Sequence, residues 1–129
     1  MKITAIDHIV LTVTDMDRTV EFYCRTLGMQ KEVFSNGRVA LRFGQQKINL
    51  HHAGHEFEPK AKTPQPGSAD LCLVTAALLE DAMAEIRACG IPIEEGPVDR
   101  AGAGGPMRSF YFRDPDGNLI EIASYRGSI

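Results

Sequence analysis

Residues 5–29, AIDHIVLTVTDMDRTVEFYCRTLGM, carry in order a strand, a helix start, an amphipathic helix and a helix stop. In the apolar run, Ile9, Leu11 and Val13 share one face of a strand, and Ile6, His8, Val10 and Thr12 share the other. Thr14 followed by Asp17 resembles a capping box with Asp in place of Glu, and Met16, Val20, Tyr23, Cys24 and Leu27 recur at helical spacing. Gly28 supplies a left-handed stop. Residues 67–91, GSADLCLVTAALLEDAMAEIRACGI, repeat the plan, with Leu79, Ala82, Met83, Ile86 and Cys89 as the apolar stripe and Gly90 as the stop. The two glycines stand 62 positions apart, and the same offset lays His8 onto Asp70. A histidine in one half is thus matched by a carboxylate in the other.

Each half continues in short strands. KEVF, RVALRF and KINLHH follow Gly28, separated by SNG and GQQ, which suit hairpin connections. IPIEEG, MRSFYF and NLIEIAS follow Gly90, and RDPDG between the last two places Pro and Gly where a turn wants them. The expected class is α+β: one domain over residues 1–129, built from β-α-β-β-β modules at 1–55 and 67–126. Residues 56–66, rich in Pro and poor in periodicity, read as the linker. A helix covers one face of each half-sheet, so the opposite faces must be buried against something; two modules facing each other form a curved mixed sheet around a cleft. The Gly-rich DRAGAGGPM, residues 99–107, reads either as a lid or as a plain connector.

Composition narrows the partners. A formal net charge of −3 with acidic and basic residues interspersed leaves no basic stripe, so neither nucleic acid nor an anionic membrane is expected. No apolar run approaches the roughly 18 residues of a spanning helix, and no leader precedes the first strand, so a cytoplasmic setting is expected. Cys24, Cys72 and Cys89 are odd in number and widely spaced; they read as reduced, buried, small apolar residues.

The pleat selects the candidate site. With Asn118, Ile120 and Ile122 on the helix side of the last strand, Leu119, Glu121 and Ala123 face the cleft, and Lys47, Asn49 and His51 do so from the first half. His8 alone could be a core histidine holding one hydrogen bond, but with these companions it becomes a metal-ligand candidate. Imidazole and carboxylate donors suit Zn²⁺, Ni²⁺, Co²⁺, Mn²⁺ or Fe²⁺, and His8, His51 and Glu121 have the composition of a two-His, one-carboxylate centre. Tyr111 alternates with Phe110 and Phe112 and therefore also faces the cleft.

DHIVLTVTD at the start, FYCRTLGM at the first helix end and FRDPDGNLIEI near the C-terminus resemble the glyoxalase, or vicinal oxygen chelate, superfamily, over essentially the whole chain. More narrowly, RFGQQKINLHHAGHEFEPKA, PGSADLCLV and CGIPIEEGPV resemble the glyoxalase-domain-containing protein 5 subgroup. The resemblance implies the glyoxalase/bleomycin resistance/dihydroxybiphenyl dioxygenase fold and a divalent metal, with His8 and Glu121 at two ligand positions. At the other two this sequence departs, with Asn49 where the lyases carry Glu and Asp70 where they usually carry His; His51 is the substitute third ligand. The implied reaction is that of a lactoylglutathione lyase, with glutathione as cosubstrate: a hemithioacetal of glutathione and methylglyoxal is isomerised, with Glu121 or Asp70 as the base. Asn49, Arg100, Arg108 and Tyr111 are the substrate-binding candidates, the two arginines for a glutathione carboxylate. The alternatives are an extradiol dioxygenase with non-haem Fe²⁺ on His8, His51 and Glu121, and a metal-free protein that binds a drug or metabolite. A homodimer is implied in each case.

Overall fold

The computed structural model, which describes residues 1–126, divides into two units, Met1–Ser68 and Ala69–Ile129. In the first, β1 (His8–Val13) leads through α1 (Met16–Leu27) to β2 (Gln30–Phe34), β3 (Arg38–Phe43) and β4 (Gln46–His52). In the second, β5 (Asp70–Val74) and α2 (Leu79–Ala88) precede β6 (Glu95–Gly102), β7 (Gly105–Arg113) and β8 (Leu119–Ser124). The sheet orders are β1-β4-β3-β2 and β5-β8-β7-β6, so both units close the same way: the first strand runs parallel to the last, and the rest are antiparallel. This is the expected α+β architecture of two β-α-β-β-β modules. Neither helix among the described residues is long and apolar enough to cross a membrane.

Local chemistry accounts for the elements, with some displacements from the sequence reading. Asp15, not Thr14, caps α1: its carboxylate accepts the Arg18 N–H at 3.0 Å. The buried line of α1 is Thr19, Tyr23 and Thr26, with Met16, Val20, Cys24 and Leu27 only half-buried beside it. Threonine methyls thus serve where larger apolar side chains were expected. Gly28, at φ 68°, ends the helix and donates to the Cys24 carbonyl. In α2 the buried residues are Leu79, Ala82, Met83 and Ile86, which is the expected stripe without Cys89.

The largest displacement concerns β6. IPIEEG was expected as a strand and DRAGAGGPM as a loop, yet β6 begins only at Glu95 and runs through Gly102, pairing Gly102 with Gly105. The Gly-rich segment is therefore a tight β-hairpin rather than a loop. Its tip is tied down by the Gly104 N–H, which donates to the Tyr125 hydroxyl at 3.1 Å. Cys72 also departs from expectation: it is exposed, and Cys24 and Cys89 are half-buried.

RDPDG forms the expected turn, held by a buried polar network. Asn118 accepts the Ala69 N–H at 2.9 Å and donates to Asp114 at 2.8 Å, while Asp114 also accepts the N–H groups of Asp116 and Asn118. Asn118 and Asp114 are buried, so truncating one strands the partners of the other. Asn118→Ala should therefore cost about 2–3 kcal/mol, measured by chemical denaturation; a cost near zero would mean that water replaces the amide.

Candidate functional site

Pairing fixes which side chains share a face. In the first sheet, His8 pairs with Lys47, Val10 with Asn49 and Thr12 with His51, and Ala40 pairs with Asn49 from β3. His8, Lys47, Asn49 and His51 therefore share one face, as the alternation implied. They do not all meet. His51 lies four register positions from His8, roughly 13 Å along the strands, so one ion cannot bridge the two rings. His51 is instead buried, with its Nε2 3.4 Å from an Arg38 amino nitrogen and its ring edge-on to Phe57. Burial, then the Arg38 charge, holds its pKa below the usual histidine value.

His8 is better disposed to bind. Its Nδ1 lies 2.7 Å from the Asp7 carboxylate, an arrangement that orients the ring and leaves Nε2 as the available nitrogen. The hydrogen bond to His8 also holds the Asp7 carboxyl below its ordinary pKa. Asn49, the nearer polar neighbour on β4, is buried, and its side-chain oxygen has no hydrogen-bond partner.

The second sheet repeats this layout with other chemistry. Cys72 pairs with Glu121, Glu121 with Tyr111 and Tyr111 with Glu95, giving one row across all four strands. Val10 and Cys72 are 62 positions apart, so Asn49 and Glu121 hold equivalent places in the two sheets, as His8 and Asp70 do at the start of β1 and β5. Asp70 is exposed and shares the face of Glu121, two register positions away. Ile120, Ile122, Phe110 and Phe112 occupy the opposite, buried face.

Glu121 has one carboxylate oxygen, Oε2, buried without a hydrogen-bond partner. An orphaned anionic oxygen is costly to bury and calls for a counter-charge. Its neighbours respond to the carboxylate. Burial, then the Glu121 charge and a hydrogen bond to it, push the Cys72 thiol up to about 11. Burial chiefly, with help from Glu121, also raises the Tyr111 phenol, opposed by the Arg100 Nε–H donated to its oxygen at 2.8 Å. Arg100 also reaches Glu95 at 3.4 Å. Arg108 is not part of this group: it falls on the Phe110 side of β7 and reaches Glu80 of α2 and Asp99. Of the two candidate arginines, only Arg100 stands on the Glu121 face.

Cys72 should consequently be a poor nucleophile despite its exposure, because the thiolate is the reactive form. Iodoacetamide labelling followed by peptide mass spectrometry should find it modified on the order of 100-fold more slowly at pH 8 than an ordinary thiol, and faster in Glu121→Gln. Labelling at the ordinary rate would mean that the carboxylate does not bear on the thiol.

As a metal test, no three His, Cys, Asp or Glu side chains gather around one point among the described residues. Each unit does hold a buried oxygen without a partner, Asn49 Oδ1 in the first and Glu121 Oε2 in the second, and His8 presents its Nε2 on an exposed ring. Taken unit by unit, an imidazole nitrogen beside an amide oxygen, and a carboxylate oxygen, are each donor types that divalent transition ions accept. The Arg38, Phe34 and Phe57 group around His51 was missed in the sequence, where only His51 drew notice.

Comparison with known proteins agrees with the architecture. A family model described as the Glyoxalase/Bleomycin resistance protein/Dioxygenase superfamily matches residues 5–122. The chain is 54% identical over 126 residues to glyoxalase domain-containing protein RDO1 of Mycosarcoma maydis, covering 98% of this chain and 71% of that protein. It is 55% identical over 125 residues to virulence protein STM3117 of Salmonella typhimurium, covering 97% and 87% of the two. A solved structure from the mobile metagenome of V. Pseudocholerae, VPC_CASS1, superimposes with a TM-score of 0.97 at 57% identity, covering 98% of each chain. A duplicated fold, the same strand pairing within each of the two sheets and the matched sequence lead to one assignment: the chain belongs to the glyoxalase/bleomycin resistance protein/dioxygenase superfamily.

Proposed function

We propose that this protein is a divalent-metal-dependent lyase or isomerase of the glyoxalase I type. Its substrate is the hemithioacetal of glutathione and methylglyoxal or a similar small compound with vicinal oxygens. The observation that carries the reading is the buried, unpartnered Oε2 of Glu121, with hydroxyl and thiol side chains beside it. Glu121 and His8 would hold the ion, with Asn49 as a weak third donor. When bound, the ion would act as a Lewis acid toward the substrate's vicinal oxygens.

The chain's own residues then move a proton between adjacent carbons. A carboxylate, Glu121 or Asp70, takes the proton from the carbon bearing sulfur and returns it to the neighbouring carbon, while the hydroxyl proton on the first carbon's oxygen passes to the former ketone oxygen, so the hemithioacetal carbon becomes a thioester and the ketone an alcohol without external oxidant. Tyr111, held by Arg100, is positioned to hydrogen-bond a substrate oxygen. The iron dioxygenase reading is weaker because His51 is engaged by Arg38 and Phe57 at a distance from His8. Within the superfamily we assign the chain nearest to the glyoxalase-domain-containing protein 5 subgroup, acting as a homodimer.

Thioester formation from methylglyoxal and glutathione, assayed with each of Zn²⁺, Ni²⁺, Co²⁺, Mn²⁺ and Fe²⁺ and with a chelator, tests the reading. Metal-dependent thioester formation is expected. Oxygen uptake with a catechol would move the assignment to ring cleavage, and inactivity in both assays with no metal uptake would leave a binding protein.

A further inference from the structure

Arg38 opens β3 and lies on the same sheet face as His51 and Asn49. Its guanidinium carbon is 5.5 Å from the centroid of the Phe34 ring and 4.5 Å from that of Phe57, and one amino nitrogen faces His51 at 3.4 Å. The rings come from different places: Phe34 from the paired strand β2, Phe57 from the segment that follows β4.

Among the described residues, no carboxylate pairs with Arg38. Glu32, on the same face, is taken by Arg42 at 3.1 Å and Lys47 at 3.6 Å, and Lys47 itself lies 3.7 Å over the Phe34 ring. Glu56 accepts the Gly54 N–H and faces Lys60. An imidazole is no counter-ion, so a half-buried guanidinium is left with aromatic neighbours and no anion. Partly desolvated cations are ordinarily paired, and the planar guanidinium fork fits a carboxylate through two parallel hydrogen bonds.

We propose that Arg38 is the receptor for the carboxylate of a small organic acid, with Phe34 and Phe57 as the apolar surface against which its carbon chain lies. The rings favour an organic acid over a free inorganic anion, because they reward burial of carbon as well as charge. Nothing in the proposal uses a metal, so it stands whichever reaction the protein performs.

The test uses the full chain without added metal, titrated with butyrate, with its neutral analogue butanamide, and with inorganic phosphate. The readouts are the NMR shifts of the His51 ring and the Arg38 Nε–H. Saturable shifts with butyrate, none with butanamide, and phosphate binding at least about tenfold weaker are expected. Arg38→Gln and Arg38→Lys should each weaken butyrate about tenfold or more, while Arg42→Gln binds as wild type. Should Arg38→Gln not fold, Arg38→Lys and Phe57→Leu carry the comparison, since both should still weaken binding. The proposal is overturned if butyrate gives no saturable shift at tens of millimolar, or if phosphate binds as tightly. Undiminished binding in the Arg38 variants would overturn it equally, and would reduce the arginine to an anchor for Phe57.

Discussion

Glu121→Gln should lower turnover in the proposed lyase reaction by about 100-fold or more and leave thermal stability unchanged or slightly raised. The two effects have opposite signs for one reason. The carboxylate carries a buried oxygen with no partner, which burdens the fold, and the same oxygen is the one available to an ion or a substrate proton. An amide of the same shape removes the charge, which lightens the burden, and removes the chemistry with it. Activity at saturating metal, read beside the melting temperature of the same preparation, checks this. Loss of activity accompanied by a melting temperature lower by many degrees would instead make Glu121 a structural residue.

Gly96→Ala lowers stability by at least about 3 kcal/mol, equivalent to roughly 10 °C in melting temperature. Gly96 sits at φ +128°, a conformation open to little besides glycine, inside the register shift between Glu95 and Val98. A Cβ there would lie 2.5 Å from Phe110 Cβ, 2.7 Å from Phe110 Cα and 2.9 Å from the Ser109 carbonyl oxygen. Phe110 is fully buried and two of those contacts are backbone, so neither side can yield. The same irregularity lets Glu95 pair with Tyr111, where Arg100 joins both side chains. A melting temperature within about 2 °C of wild type would show that the bulge relaxes freely.

The duplicated plan was legible because period and punctuation agree in both halves: strand alternation, helical stripe, then Gly28 or Gly90. The alternation of Ile120 and Ile122 against Glu121 was legible for the same reason, since only one face of β8 is apolar. β6 was not, because Glu95–Gly102 has the glycines of a loop, and its pairing with β7 is a long-range fact that local composition does not carry. The first helix cap was misplaced by one residue because Thr14, Asp15 and Asp17 are all competent caps. His51 was taken as a neighbour of His8 because both face the same way; face is set by parity, but distance is set by register, which places them four steps apart. The Arg38 group was invisible for a related reason: antiparallel pairing and the return of Phe57 bring together residues spread over positions 34–57.

Metal content is the deciding quantity. Equilibrium dialysis followed by elemental analysis should give one divalent ion per chain for wild type, and a loss of at least about tenfold in affinity for His8→Ala and for Glu121→Ala, with circular dichroism unchanged in both. Equal metal uptake by wild type and both folded variants would show that these two residues do not hold a common ion.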